Sequence, residues 1–321
     1  MPYNQPYTIH MHILITGAFG FVGTNLSRAF KASSHHLIAV DVFEPDNHLY
    51  DEVFNWDSLT ELNWEKIDAI IHLAGKAHDT RNTTEDKEYF KINLGLTQQI
   101  FTWFQKSSAT KFIFFSSVKA VADQVLDKQL DENETPDPKT VYGRSKLAAE
   151  QYIQDCHLTE EKQVFILRPC MIHGPGNKGN LNLLYNMVQK GIPWPLGKFE
   201  NRRSFTSVDN LNYILSEILK HPIEQGIYHI ADDEAVSTNR LIELIADSLG
   251  HKAKIWYLNK KTIQLIARLG DLIHLPLNSE RLQKLSESYV VSNKKIKYTL
   301  DVDKLPFRAE EGLKSTLKSF R

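Results

Sequence analysis

A glycine-rich turn between an apolar segment and a helical segment, close to residue 17, constrains this chain more than any other feature. Apolar and β-branched residues at 12–16 predict a buried strand, and residues 24–31 predict a helix. Gly17, Gly20 and Gly23 lie between them in a G-x-x-G-x-x-G pattern. Glycines let the backbone approach a pyrophosphate closely, and the N–H groups and dipole at a helix N-terminus stabilise its negative charge. The pattern therefore predicts a phosphate cradle, although glycines that only permit close packing would give the same pattern.

A carboxylate follows the second predicted strand at the expected distance from the glycines. Residues 37–40 are apolar, and Asp41, 18 positions after Gly23, comes directly after them. In dinucleotide-binding folds a carboxylate at this point accepts a hydrogen bond from the adenosine ribose 2′-hydroxyl. A 2′-phosphate would meet like charge at Asp41, so the sequence favours NAD over NADP.

Composition and charge exclude several classes of partner. The 321 residues are 42% hydrophobic, which is enough for one large or two modest domains. Lysine and arginine number 38 against 39 acidic residues, so no strong field is expected to recruit nucleic acid or an acidic membrane. A small molecule is the expected partner. Two cysteines, Cys156 and Cys170, indicate neither a disulfide framework nor a metal site and favour a reducing, cytoplasmic setting.

The sequence predicts no signal peptide and no membrane span. Residues 1–10 lack a basic segment followed by a long apolar one. The most apolar late segment, 262–273, is interrupted by Arg268 and Asp271 and is too short to span a bilayer. We interpret it as a helix of a second domain, in preference to a helix lying on a membrane surface.

Apolar runs alternate with helical segments through the first half of the chain. Nearly continuous apolar runs are typical of strands buried on both faces of a parallel sheet. The alternation predicts a doubly wound α/β sheet of the Rossmann type. Beyond residue 41, the predicted strands are 53–56, 69–75, 112–117 and 164–168, and the main predicted helices are 85–105 and 142–156.

After Cys170 the pattern changes to loops, helices and short strands. We therefore expect an NAD-binding Rossmann domain over residues 11–170 and a smaller, mostly helical substrate-binding domain over 171–321. Part of 205–235 is expected to return to the Rossmann core. Ligands of such sheets bind at the carboxyl ends of the strands, so the expected site is a cleft between the two domains.

Two hydroxyl side chains and one amine form the candidate catalytic group. Tyr142 and Lys146 are at i and i+4, so both face the same side of the predicted helix. An ammonium near a phenol stabilises the phenolate and lowers the phenol pKa toward the working pH of a general acid or base. Ser117, at the end of a predicted strand, can hydrogen-bond the same substrate oxygen. Taken alone, the pair also fits a half-exposed tyrosine beside a solvated lysine.

With these residues in place, the chain resembles the extended short-chain dehydrogenases/reductases, the NAD-dependent epimerase/dehydratase group that acts on nucleotide sugars. The resemblance extends over nearly the whole chain in the family's order. The matching pieces are Gly17-x-x-Gly20-x-x-Gly23, Asp41, residues 72–75, Asn93 with Thr97, residues 116–117, 142–146, 167–169 and 203–209.

The resemblance implies a role for each matching residue. Tyr142 would be the catalytic acid or base, Lys146 would lower its pKa and bind the nicotinamide ribose, and Ser117 would orient the sugar oxygen. Asn180 and Arg203 would hold the nucleotide diphosphate of the substrate, and no metal is expected. The residues that would contact NAD are Gly17, Gly20, Gly23, Phe21 and Val22 at the pyrophosphate, Asp41 at the ribose, Asp57 and Ser58 at the adenine, and Leu73, Ala74, Gly75, Asn93, Tyr142 and Lys146.

Within this family, the chain is similar to UDP-glucose 4-epimerases and UDP-4-keto-sugar reductases. Dehydratases of the family carry an Asp-Glu pair after the catalytic hydroxyl, whereas Val118 and Lys119 follow Ser117 here, so a 4,6-dehydratase is not expected. We expect NAD-dependent oxidation and reduction at C4 of a nucleotide sugar and prefer a UDP-hexose 4-epimerase. An NAD(P)H-dependent 4-ketoreductase of a UDP-linked deoxysugar and a catalytically idle NAD-binding regulatory protein are the alternatives. Relatives pair through helices matching 85–105 and 142–156, so the resemblance implies a homodimer.

Overall fold

Strands and helices alternate along this chain in a computed structural model that describes residues 10–76, 86–125, 129–177, 179–273 and 278–320. The strands are β1 (His12–Thr16), β2 (His36–Val40), β3 (Glu52–Phe54), β4 (Ala69–His72), β5 (Lys111–Phe115), β6 (Gln163–Pro169), β7 (Met171–His173), β8 (Phe205–Ser207) and β9 (Gly226–Ile230). The α-helices are α1 (Phe21–Ala32), α2 (Asp86–Phe90), α3 (Leu96–Lys106), α4 (Val141–Asp155), α5 (Asn180–Gln189), α6 (Val208–Lys220), α7 (Thr238–Ser248), α8 (Lys260–Ile273), α9 (Ser279–Ser286), α10 (Lys294–Thr299) and α11 (Ala309–Lys318).

Seven of these strands form one sheet in the order β3-β2-β1-β4-β5-β6-β9, and every neighbouring pair is parallel. In the register, Leu14 of β1 lies between Ile38 of β2 and Ile70 of β4. The chain reverses its direction of travel across the sheet after β3, so a crevice opens at the carboxyl ends of β1 and β4. The predicted doubly wound α/β sheet is confirmed.

Helices cover both faces of this sheet and bury it. Ile13 and Ile15 pack in a layer that includes Phe30 of α1 and Leu211 of α6, whereas Leu14 packs in the opposite layer with α3 and α4. Burial on both faces is the reason that the strands are almost continuously apolar.

A separate core lies among the later helices. It joins Leu181 of α5, Ile245 of α7, Ile263 of α8, Leu282 of α9 and Leu313 of α11. The chain also returns to the main sheet between α5 and α7, because β9 pairs with β6 and α6 packs against α1.

The predicted strand over 53–56 is wrong in its second half. β3 ends at Phe54, and a 3₁₀ helix runs from Trp56 to Glu61. The side chain of Asn55 accepts hydrogen bonds from the N–H groups of Asp57 (2.8 Å) and Ser58 (3.0 Å). Capping of this kind satisfies backbone donors at a helix start, which favours a helix over a longer strand.

The helical segment predicted over 85–105 is continuous but not uniform. Residue 85 lies outside the described residues, and α2, a π-helical turn (Lys91–Gly95) and α3 follow one another without a break. The π turn contains Asn93, whose side chain is fully buried. Such turns are frequent at functional sites, and this one lies beside α4.

The apolar segment 262–273 lies within α8, which buries Ile263 and Ala267 in the later core. Of the helices in the described ranges, none has both the length and the apolar character that crossing a bilayer requires.

Candidate active site

The glycine turn packs so tightly that side chains would not fit. Gly17 has a φ of +66°, and a Cβ there would lie 2.7 Å from the backbone nitrogen of Ala74. A Cβ on Gly23 would lie 2.3 Å from the carbonyl oxygen of Ala18. Both glycines therefore let the backbone of the turn lie directly against β4 and α1.

The N-terminus of α1 faces the space that this turn leaves. Gly20 precedes the helix and has no side chain to cap it, and no acidic residue stands in the first turn. The N–H groups of Phe21 and Val22 belong to that first turn and point along the helix dipole. A cradle that a Cβ would fill, next to an uncapped helix N-terminus, fits the pyrophosphate of a dinucleotide.

Asp41 ties the glycine turn to the end of β2. Its Oδ2 accepts a hydrogen bond from the N–H of Phe19 (2.9 Å), and its Oδ1 accepts one from the N–H of Val42 (2.8 Å). The carboxylate is half-buried and keeps further acceptor positions, since each of its oxygens can accept two hydrogen bonds. This arrangement fits a ribose hydroxyl beside the cradle.

Asp57 and Ser58 lie in the first turn of the 3₁₀ helix, close to the same edge of the sheet. Asp57 is exposed, while the Ser58 hydroxyl is within hydrogen-bond distance of the backbone N–H and carbonyl of Asn55. The N–H of Asp41 donates to the carbonyl of Phe54 (3.1 Å), which links β2 to the start of this helix. Their contact with an adenine stays a prediction.

Leu73, Ala74 and Gly75 continue from the end of β4 into the crevice. The N–H of Ala74 donates to the hydroxyl of Thr16 (3.2 Å), so this segment is fixed to β1. A Cβ on Gly75 would lie 2.8 Å from the Asn93 amide oxygen and 2.9 Å from the Lys146 Nζ. The structure thus brings Gly75, Asn93 and Lys146 to one place.

Asn93 connects the π turn to its surroundings through its side-chain amide. Its oxygen accepts a hydrogen bond from the N–H of Lys76 (2.7 Å), and its nitrogen donates to the Ser145 hydroxyl (2.8 Å). The same nitrogen donates to the Lys76 carbonyl (3.2 Å). Asn93 therefore holds the loop after β4 against the helix that carries Tyr142.

Ser117, Tyr142 and Lys146 meet at the carboxyl end of β5. A hydrogen bond between the Ser117 and Tyr142 side chains lowers the phenol pKa, but burial outweighs it and the pKa of Tyr142 is raised. The Lys146 Nζ donates to the carbonyl of Phe115 (2.8 Å), and burial lowers the pKa of this amine to about 8. The pKa of the phenol is raised because desolvation outweighs the Ser117 hydrogen bond, so the lowering expected from Lys146 is not seen in this arrangement.

The sequence analysis missed a buried ion pair directly behind these residues. The Glu150 carboxylate accepts hydrogen bonds from the Nε (2.9 Å) and Nη2 (2.5 Å) of Arg168, and the Ser116 hydroxyl donates to it as well. Glu150 follows Lys146 by one helical turn, and its charge opposes the lowering of the lysine pKa. The pair joins α4, β5 and β6 behind the candidate catalytic residues. The available signal was a glutamate at i+4 from the lysine together with an arginine inside an apolar strand.

Arg203 and Asn180 lie on the part of the chain that follows β7. Arg203 forms isolated bridges with Val236 and Tyr289, and its Nη2 donates to the Lys284 carbonyl. Its Nε is buried and has no hydrogen-bond partner among the described residues. Asn180 is exposed at the start of α5, and no hydrogen bond of the described residues joins it to Arg203.

Lys119 lies between Arg203 and the candidate catalytic group. Its N–H donates to the Ser117 hydroxyl (3.2 Å), and its Nζ donates to the Asp123 carbonyl (2.7 Å) and lies 4.4 Å from the Tyr289 ring centroid. Burial lowers the pKa of Lys119, the charges of Asp123 and Glu287 oppose this shift, and the charge of Arg203 adds to it. Lys119 and Arg203 are therefore close enough for their charges to interact. Of the residues that the structure describes, no group of three or more His, Cys, Asp or Glu side chains is arranged to hold a metal ion.

Comparisons with known proteins show which proteins this chain resembles. The model of the NAD dependent epimerase/dehydratase family matches residues 13–231. The UDP-glucose 4-epimerase of Vibrio cholerae is 29% identical over 96% of this chain and 95% of its own length. The GDP-6-deoxy-D-mannose reductase of Pseudomonas aeruginosa is 28% identical over 73% of this chain and 79% of its own length. A structure of the UDP-glucose 4-epimerase of Thermotoga maritima with UDP-glucose has the same fold, with a TM-score of 0.73 and 20% identity over 97% of this chain and 99% of that one.

Proposed function

Because the chain belongs to the NAD-dependent epimerase/dehydratase family, with NAD as the cofactor, we propose that it is a UDP-hexose 4-epimerase. The similar curated proteins include 4-epimerases and deoxysugar reductases that act on nucleotide sugars. The epimerase of V. cholerae matches this chain almost from end to end, which favours the epimerase.

The observation that supports the proposal most is the position of Tyr142 and Ser117 next to the glycine cradle. Bound NAD would supply a hydride acceptor and donor, held by the turn at 17–23, by Asp41 and by the segment 73–75. Tyr142 would take the proton from the C4 hydroxyl during oxidation and return it during reduction. Ser117 would hold the same oxygen and stabilise the phenolate through its hydrogen bond.

The cationic side chains would bind the charged part of the substrate. We assign the diphosphate to Arg203, whose guanidinium has a buried, unpartnered Nε, and to Asn180 at the start of α5. Lys119 lies close enough to Arg203 for their charges to interact, so it adds positive charge on the same side.

The proposed enzyme has two lobes, with NAD bound by residues 11–170 and the substrate bound chiefly by 171–321. Strand β9 in the main sheet supports the expectation that part of 205–235 belongs with the first lobe. We also propose a cytoplasmic homodimer that pairs through the segments 86–105 and 142–156. Sedimentation that shows only monomer at micromolar concentration would contradict the dimer.

Substitution of Tyr142 by phenylalanine tests the proposed proton transfer. We expect Tyr142→Phe to lower kcat by roughly 10²–10⁴, the usual contribution of a general acid or base. NAD released by denaturation should remain at the wild-type level, because the substitution removes only the phenol oxygen and leaves the cradle at 17–23 and Asp41 unchanged. Tyr152→Phe, on the same helix but outside the site, is the matched control. Retained activity of Tyr142→Phe would contradict the proposal.

The choice between epimerase and reductase needs a separate assay. UDP-galactose and UDP-glucose should interconvert without added cofactor if the protein retains NAD and returns the hydride to its own product. A 4-ketoreductase is the second candidate, and the similarity to the P. aeruginosa reductase supports it. Consumption of added NADH or NADPH with a 4-keto sugar, and no interconversion, would identify that activity. An intact protein that binds NAD but no nucleotide sugar would be the idle regulatory form.

A further inference from the structure

Helix α8 has a second apolar face that no other part of the described chain covers. Ile263 and Ala267 are buried in the later core, but Leu265, Leu269 and Leu272 are 59%, 51% and 75% exposed. Ile266 is 40% exposed on the same helix. Four large apolar side chains on one helix are far more than the single scattered residues that an ordinary surface carries.

The exposed residues form a continuous stripe along the helix. At about 100° per residue they occupy a sector of about 120°, which is separate from the direction of Ile263 and Ala267. Lys261 and Arg268 border this stripe on its solvent side. The one acidic residue of α8, Asp271, points away from the stripe and accepts hydrogen bonds from the N–H (2.9 Å) and hydroxyl (2.5 Å) of Ser279.

The surface that leads into α8 continues this character. Trp256 and Tyr257 are 54% and 61% exposed just before the helix. Between residues 252 and 272 there are five basic residues and one acidic residue, although the whole chain has a net charge of −1. The five basic residues are Lys252, Lys254, Lys260, Lys261 and Arg268, and none of them forms an ion pair with a described residue.

We propose that the α8 stripe, together with Trp256 and Tyr257, docks the protein onto the surface of an anionic lipid bilayer. An apolar helix face bordered by basic side chains, with aromatic residues at its end, is the pattern of helices that lie in the headgroup region. Basic side chains near such a surface are attracted by anionic headgroups. From the sequence alone, a helix of the second domain is preferred to a membrane-surface helix, because the sequence does not show that the leucines are exposed in the fold.

The charge distribution favours a lipid surface over a second copy of the chain. A two-fold pairing through this stripe would bring two copies of the same basic patch together, which is repulsive. An anionic bilayer is complementary to them. The inference needs neither NAD nor a sugar, so it stands independently of the proposed reaction.

Vesicle sedimentation of the full-length protein tests this proposal. We expect binding to vesicles of phosphatidylglycerol mixed with phosphatidylcholine, weak binding to phosphatidylcholine alone, and loss of binding at high salt. The variant Leu265→Ser/Leu269→Ser/Leu272→Ser should lower the partition coefficient by about tenfold or more, because it removes the apolar contact. The charge variant Lys261→Glu/Arg268→Glu should also bind anionic vesicles weakly. Its binding to phosphatidylcholine vesicles should change little.

The control variant is Tyr298→Ser, which removes an aromatic side chain that is 87% exposed on α10 and should leave vesicle binding unchanged. Melting curves verify that each variant is folded. If the leucine variant does not fold, the charge variant alone tests the proposal. Absence of binding to anionic vesicles, or binding that both variants retain, would overturn the proposal. Dissociation of a dimer by the leucine variant without any vesicle binding would overturn it as well and would make a second copy the occupant.

Discussion

Replacing Glu150 by glutamine removes the anion from the buried ion pair behind Tyr142 and Lys146. The Glu150 and Arg168 side chains are 0% and 4% exposed, and two hydrogen bonds join them. Glutamine keeps the size of the side chain but leaves the Arg168 guanidinium buried without a negative charge. Removing one partner of such a pair costs about 3–5 kcal/mol, because the remaining charge stays desolvated.

This cost is large compared with the total stability of a domain, which is about 5–15 kcal/mol. With an unfolding entropy of about 2.1 cal/mol/K per residue, it corresponds to a fall in Tm of about 4–7 °C for this chain. The pair Arg240–Glu310 provides an exposed control, in which Arg240 is also paired with Glu243 (3.0 Å). It has the same two-bond geometry (2.8 and 2.9 Å) but side chains that are 41% and 37% exposed. Glu310→Gln should cost less than about 1 kcal/mol, because water screens the exposed pair.

The assay is a double-mutant cycle of unfolding free energies with Glu150→Gln, Arg168→Met and the double variant. We expect the double variant to be less destabilised than the sum of the single variants, since removing both partners leaves no unpaired charge. Activity should fall with Glu150→Gln more than with Glu310→Gln, because Glu150 accepts a hydrogen bond from Ser116, the neighbour of the proposed catalytic residue Ser117. Strictly additive effects, or equal losses at the buried and exposed pairs, would refute the reasoning.

Two further predictions concern the cofactor cradle and the buried lysine. Gly23→Ala should abolish NAD retention, because its Cβ would lie 2.3 Å from the carbonyl of Ala18. Gly179→Ala is the control and should retain NAD, because a Cβ there meets nothing within 4 Å. Equal amounts of NAD released from the two variants on denaturation would contradict this prediction. Lys146 has a folded-state pKa of about 8, below its ordinary value of 10.5, so the unfolded state binds more protons between these pH values and stability should rise with pH there. Urea titrations should show that the unfolding free energy of wild type, relative to that of Lys146→Met, increases by a few kcal/mol from pH 8 to 10.5. A difference that stays constant with pH would disprove the lowered pKa of Lys146.

The local sequence was sufficient for the main sheet and for the glycine turn. Strand β1, the turn at 17–23 and Asp41 are encoded by neighbouring residues, so periodicity and spacing predict them well. The prediction of a strand at 53–56 failed because one side chain, Asn55, caps a helix that begins there. A run of apolar residues does not reveal such a cap unless its hydrogen bonds are known.

Features that depend on packing between distant segments could not be predicted. The Glu150–Arg168 pair requires α4 and β6 to be side by side, and the raised pKa of Tyr142 requires knowledge of what surrounds the phenol. The exposed stripe on α8 has a similar origin. The apolar periodicity predicts the helix, but only the fold shows which of its two apolar faces is buried.

Strand β9 is the last strand of the main sheet along the chain. Its residues, 226–230, are made about 60 positions after its partner strand β6, and until then β6 has one open edge. An unpaired apolar edge strand is a template for association between chains. During synthesis on the ribosome, a chain that stalls before residue 226 would therefore expose β6 as the edge, and fragments ending there should aggregate more than the full-length chain, in which β9 is the edge strand and α10 packs against it.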